Sequence, residues 1–197
     1  MKQTIRCLVF AILSVIGLTA CRAGEPDQMA VAFSAYTDRP VVLTEMAVNG
    51  SPQAFPPLVV RGRADSNRPM EGAGRRLLGY PSGADGVMDL TVTWVELPSG
   101  QAYSAQVDVP LAQLETAASG GIEFMPVFGP GGLLLITSDP VPASANDRTI
   151  RDVVRICATR APLADTDFGA DPGALPALRE ALASATATAN SAACSPN

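Results

Sequence analysis

The clearest pattern along the chain is an alternation in its middle. Across residues 87–97, Met88, Leu90, Val92 and Trp94 alternate with Asp89, Thr91, Thr93 and Val95. A period of two sends the two sets to opposite sides of an extended chain and predicts a strand with one buried face. Pro98-Ser99-Gly100 marks a turn. Residues 101–109 then return with Tyr103, Ala105, Val107 and Val109 alternating against Ser104, Gln106 and Asp108, which completes a hairpin. Residues 122–128, the turn Gly129-Pro130-Gly131-Gly132 and residues 133–137 predict a second hairpin. Leu133-Leu134-Leu135-Ile136 has no polar alternation, so that strand should be covered on both faces.

Upstream, Met29, Val31, Phe33 and Ala35 alternate within 29–37, and the β-branched run 41–48 stops at Asn49-Gly50-Ser51. Leu58 to Val60 is a third, short apolar run. Residues 61–76 (RGRADSNRPMEGAGRR) carry no apolar period and read as a long exposed loop, continued by a turn region at 79–86. Residues 111–118 predict a short helix. In 146–159, Ile150, Val153, Val154 and Cys157 form a helical stripe capped by Asn146 or Asp147, and we read a helix there. The set Ile150, Asp152, Val154 and Ile156 fits a strand almost as well. Asp171-Pro172 reads as a helix start, with Leu175, Leu178, Leu182 and Ala185 as the buried stripe of a helix ending near Ala189. Together these elements predict a mainly β fold, an antiparallel β-sandwich or open barrel with a C-terminal helical extension.

Composition narrows the chemistry. The chain of 197 residues has no histidine, which removes Ser-His-Asp triads, Cys-His pairs and histidine-ligated metals. Its one lysine is Lys2. A serine such as Ser99 or Ser104 would have to be activated by a carboxylate alone. Asp165, Asp167 and Asp171 invite comparison with an EF-hand loop, but the twelfth position is Pro176 instead of glutamate, so they read as a solvated loop with a helix cap. A paired-carboxylate glycosidase has 19 acids to draw on but few aromatic platforms. Trp94 lies on an apolar strand face and reads as core. Gly129 to Gly132 precede a strand, not a helix, and read as a turn and not a phosphate cradle. No catalytic residue, cofactor or metal site is therefore predicted. The strongest binding candidate is the 61–76 segment. There Arg61, Arg63, Arg68, Arg75 and Arg76 stand against Asp65 and Glu71, a net of +3. Arginine recognises carboxylates and phosphates bidentately, so the expected partner is an acidic protein surface or anionic lipid.

The N-terminus carries the most specific signal. Lys2 and Arg6 precede an uncharged apolar run from Cys7 to Leu18. That is the layout of a secretory signal, and it is shorter than the roughly 20 residues that span a bilayer. The run ends in Leu18-Thr19-Ala20-Cys21, which resembles the lipobox of bacterial lipoproteins. The resemblance implies acylation of the Cys21 thiol, cleavage before it, and anchoring by chains such as palmitate. Each buried methylene contributes about 0.8 kcal/mol, and more than one chain makes the attachment stable. Arg22 after the cysteine implies outer-membrane delivery, on the periplasmic side. The expected organisation is a signal peptide at 1–20, a lipidated tether at 21–28, a β-rich domain at 29–160, and a helical extension and tail at 161–197. Loss of Lys2 and Arg6 leaves 12 cations against 19 acids, a net of −7, which disfavours nucleic acid as a partner. With Cys7 removed and Cys21 acylated, Cys157 and Cys194 remain, and an even pair in an oxidising compartment predicts one disulfide.

Leu90-Thr91-Val92-Thr93-Trp94, Tyr103, Asp108-Val109-Pro110 and Gly131-Gly132 before an apolar strand are similar to small periplasmic lipoproteins encoded beside type VI secretion phospholipase effectors. That resemblance, over about 30–138, implies a non-catalytic immunity-like inhibitor and carries over no catalytic residue. A structural or assembly lipoprotein of the envelope is the alternative, and a carboxylate-based hydrolase the third. The lipobox has a direct consequence: Cys21→Ser releases the protein from sedimented membranes. A variant that still sediments with them contradicts the acylated anchor.

Overall fold

A computed structural model describes residues 28–36, 38–54, 57–61, 73–79, 85–116, 121–138, 151–185 and 194. In chain order the strands are β1 (Gln28–Ala35), β2 (Val41–Val48), β3 (Ser51–Pro52), β4 (Leu58–Val60), β5 (Ala73–Gly79), β6 (Val87–Glu96), β7 (Ala102–Pro110), β8 (Ile122–Phe128), β9 (Leu133–Ser138), β10 (Arg151–Cys157) and β11 (Thr159–Arg160). The α-helix α1 (Leu178–Ser184) follows. The strands form two sheets, one in the order β10-β9-β8-β1-β5 and the other β11-β7-β6-β2-β3, with β4 also pairing β2. The fold is mainly β, a sandwich of two antiparallel-rich sheets, with a short helix near the C-terminus. One pairing is parallel, between β1 and β8, because the chain crosses from one sheet to the other after β7.

The alternation dictates the core. Met29, Val31, Phe33 and Ala35 face inward from β1, and Met88, Leu90, Val92 and Trp94 from β6, all fully buried. Tyr103, Ala105, Val107 and Val109 of β7 join them, with Phe124, Phe128, Leu134 and Ile136 from the opposing sheet. Burying side chains of this size contributes about 1.5–3 kcal/mol each. In β2 the inward parity changes partway. Val41 and Leu43 point in before a bulge, Met46 and Val48 after it. Thr44 is the extra residue, and its Oγ1 donates to the Thr93 carbonyl at 3.0 Å. The turn after β2 is the expected one: Asn49 and Gly50 both have positive φ, and Asn49 Oδ1 accepts the Asp89 N–H at 2.9 Å.

Both outer faces carry apolar side chains. On the sheet containing β2, Val42, Val59 and Leu97 pack with Leu178 and Ala181 of α1. On the other, Met125, Val127, Leu133 and Leu135 pack with Ala32, Tyr36 and Cys194. Every position of β9 is buried, as its unbroken apolar run predicts.

Four expectations are corrected. Residues 151–157 form strand β10, not a helix; 146–150 lie outside the described residues. Val153, Val154 and Ile156 all pack against the main core, and the chain then changes sheet: β10 pairs β9, and after Ala158 the short β11 pairs β7. Part of the loop read at 61–76 is a strand: Ala73–Gly79 is β5, paired antiparallel to β1, and 62–72 lie outside the described residues. Arg75 and Arg76 break the apolar pattern, but β1 supplies the backbone partners. Over 111–116 the expected helix is one 3-10 turn, Leu111–Gln113, and 117–118 lie outside the described residues. The C-terminal helix also begins later than Asp171, which instead accepts the Gly173 N–H at 3.1 Å and caps a turn.

Cys157 and Cys194 are disulfide-bonded across a sequence separation of 37, which ties the C-terminal tail to β10. Closing a loop of that length stabilises by about 4 kcal/mol in the chain-entropy account. Cys194→Ser should therefore lower the stability measured by urea unfolding by about 2–4 kcal/mol. A midpoint equal to that of the unaltered protein contradicts a structural disulfide.

Candidate functional site at the Glu96 end of the sandwich

Glu96 has the same parity in β6 as Trp94 and points inward, 1% exposed. Its Oε1 accepts the Gly132 N–H at 3.1 Å, and its Oε2 accepts the Ser99 hydroxyl at 3.4 Å. One carboxylate thus joins the β6–β7 turn of one sheet to the β8–β9 turn of the other. The second turn is shaped to receive it. Gly131 and Gly132 have φ of 66° and 82°, in the left-handed region that favours glycine. A Cβ on Gly132 would stand 2.5 Å from Tyr103 Cδ1. The turn is pinned by the Gly129 N–H on the Leu133 carbonyl and the Ala158 N–H on the Gly132 carbonyl, both at 2.8 Å.

Burial pushes the Glu96 carboxyl above its ordinary range. The Gly132 N–H, the positive charge of Arg39, the Gly131 N–H and the Ser99 hydroxyl act in the opposite direction. Arg39 is itself 6% exposed, with its Nε 3.6 Å from Asp38 Oδ2.

A second layer lies outside this carboxylate. The Tyr103 ring stacks near Trp94 at 5.9 Å, its hydroxyl donates to Gln101 Oε1 at 3.1 Å, and the Arg160 guanidinium sits 5.2 Å from the ring centroid. Burial raises the Tyr103 hydroxyl, with the charges of Glu96 and Asp165 in the same direction and Arg160 against them. Asp165 takes both arms of Arg160 at 2.9 Å and the Ala102 N–H at 2.7 Å. Those hydrogen bonds, Arg160 first, hold its carboxyl below the ordinary range. Arg160 also donates to the Ala102 carbonyl. Trp94 packs on Phe128 at 5.0 Å, and its buried Nε1 has no hydrogen-bond partner among the described residues. Chemically, the cluster is a clasp whose carboxylate oxygens are engaged by its own chain.

The sequence-derived candidates fall elsewhere. Cys21, Arg63 and Arg68 lie outside the described residues. Arg61 is exposed and pairs with Glu180 of α1 at 2.7 Å, and Arg75 and Arg76 are consecutive positions of β5. The structure does not unite the three aspartates: Asp165 holds Arg160, while Asp167 and Asp171 accept the Gly169 and Gly173 N–H groups. Among the described residues no group of three or more acids or cysteines could hold a metal. Glu96, Arg39 and Arg160 were not singled out from the sequence. The signal for Glu96 was present, because the alternation that buries Met88, Leu90, Val92 and Trp94 continues to position 96. Fold and cluster together define a β-sandwich closed at one end by a buried carboxylate. Against known proteins, the chain matches no family model, no curated protein and no solved structure.

The raised Glu96 carboxyl fixes a pH dependence. The folded state favours its protonated form, so its contribution is fully present below the unfolded value and is lost as pH rises through the folded value. The urea midpoint of the unaltered protein should fall across that interval. Glu96→Gln, which keeps an acceptor for Gly132 but cannot ionise, should remove that fall. Glu96→Ala should be less stable than Glu96→Gln by about 1–3 kcal/mol at every pH, by leaving a buried N–H unpaired. Parallel pH profiles for the unaltered protein and Glu96→Gln contradict the assignment.

Proposed function

We propose that this chain is a lipid-anchored, non-catalytic binding module of the periplasm, held at the outer membrane through Cys21. Its partner is a protein, and the class we favour is a secreted lipase effector that it neutralises as an immunity protein. The supporting observation is strand β5. It is the last strand of its sheet, and among the described residues nothing pairs with its outer edge. It follows the arginine-rich segment, contains Arg75 and Arg76, and bears Leu77 at 67% exposure. Such an edge accepts an extended strand through its backbone groups, with side chains setting specificity. The arginines favour an acidic one.

The reading expects a lipase toxin in a neighbouring reading frame. Mixed with that lipase, the purified chain should form a complex by size-exclusion chromatography and abolish lipid hydrolysis. Leu77→Asp should weaken the complex about tenfold or more, as a central interface residue does, with an unchanged urea midpoint. A lipase that neither binds nor is inhibited overturns the immunity assignment. An envelope defect on deletion in cells that carry no toxin favours a structural lipoprotein instead.

A further inference from the structure

The two outer faces of the sandwich are covered by different means. On the side of β2 and β4, α1 and the segment before it bring apolar side chains of their own: Phe168, Leu175, Leu178, Ala181 and Leu182 pack with Val42, Val59 and Leu97. On the opposite side, Met125 and Val127 of β8 and Leu133 and Leu135 of β9 are all buried. Ala32 and Tyr36, which pack with them, belong to β1 and the residue that follows it. Among the described residues, Cys194 is the one apolar side chain that reaches this face from outside the sheet.

The tail around Cys194 has little besides its sulfur to hold it there. Residues 186–197 contain no valine, isoleucine, leucine, methionine or aromatic residue, and no charged side chain. A segment of that composition buries too little apolar area to dock strongly by itself, and it offers no ion pair. Its covalent attachment is the bond to Cys157, at the end of β10. The core between the sheets does not draw on the tail: among the described residues, none beyond Ala158 packs in it. Both cysteines are half-buried, so a small reductant can reach the bond without the sheets separating.

We propose that the Cys157–Cys194 disulfide is a redox-sensitive strap: its reduction by a dithiol frees the C-terminal tail and uncovers the apolar face of β8 and β9, while the sandwich stays folded. One thiolate of the dithiol attacks a cystine sulfur and displaces the other cysteine as its thiolate. The second thiolate of the dithiol then displaces the remaining cysteine and closes the reductant's own disulfide. Two electrons pass to the cystine, and two protons complete the two thiols. The opposite outer face keeps its cover, because α1 is held by packing and not by sulfur. The device does not depend on the partner proposed above.

The methionines report the outcome. Met125 lies on the strapped face, whereas Met29, Met46 and Met88 lie in the core between the sheets. The full chain is reduced with dithiothreitol in the absence of denaturant, capped with iodoacetamide, freed of reductant and exposed to dilute hydrogen peroxide. Sulfoxide formation at each methionine is followed by peptide mass spectrometry, beside the unreduced protein and an uncapped Cys157→Ser/Cys194→Ser double variant. Met125 should oxidise about tenfold or more faster in the reduced protein and in the double variant, with Met29, Met46 and Met88 staying within about twofold of their rates in the unreduced protein. A Met125 rate unchanged in both overturns the strap, because the face is then covered without the disulfide. A comparable rise at all four methionines also overturns it, by making the bond a staple of the whole sandwich. So does a bond that dithiothreitol leaves intact until denaturant is added.

Discussion

A carboxylate buried between two sheets holds one end of this molecule together. Glu96 reaches from β6 to the backbone of Gly132 in the opposite sheet, and that hydrogen bond determines what the surrounding residues are allowed to be. Gly132 has to be glycine, because its φ is positive and Tyr103 occupies the space a side chain would need. Tyr103 is fixed by Gly132 on one side and Arg160 on the other. Arg160 in turn is fixed by Asp165, which also holds the backbone of β7. A charge this deep is costly to bury unless hydrogen-bonded. Its partners come from two turns and from Arg39, so the cluster forms only when both hairpins have docked.

Around that clasp, the molecule solves a problem common to sandwiches. Its sheets are apolar on the outside as well as the inside, so each outer face needs cover. The C-terminal segment supplies cover on both. Phe168, Leu175 and α1 lie on β2 and β4, and Cys194 lies against Met125, Val127, Leu133 and Leu135 on the opposite face. The disulfide to β10 makes that second attachment covalent. The segment after β10 is therefore part of the fold.

Strands marked by period-two alternation or by a bounded apolar run were legible from the chain: β1, β2, β6, β7, β8 and β9 fall where those patterns place them. So were the Asn49-Gly50 turn, the core position of Trp94 and the pairing of Cys157 with Cys194. The failures share a physical origin. Residues 151–157 carry a sequence compatible with both a helix and a strand, and a free edge on β9 decided between them. Arg75-Arg76 in β5 looked like loop because no local apolar pattern marks an edge strand whose stabilisation comes from backbone pairing to β1. Glu96 was hidden in plain sight: its parity said inward, but a lone acid at a strand end is ordinarily solvated, and its partner Gly132 lies 36 residues away.

What the sequence determined by itself is the mainly β class, the inward-facing set of side chains and the exclusion of histidine-dependent chemistry, because these follow from local periodicity and residue type alone. The tertiary structure decided the parallel pairing of β1 with β8, the switch of residues 151–160 from one sheet to the other, and the cross-sheet grip of Glu96 on Gly132. Each depends on which backbone groups meet after the chain has folded back on itself. Hydrogen bonds between segments distant in sequence leave no period along the chain that forms them.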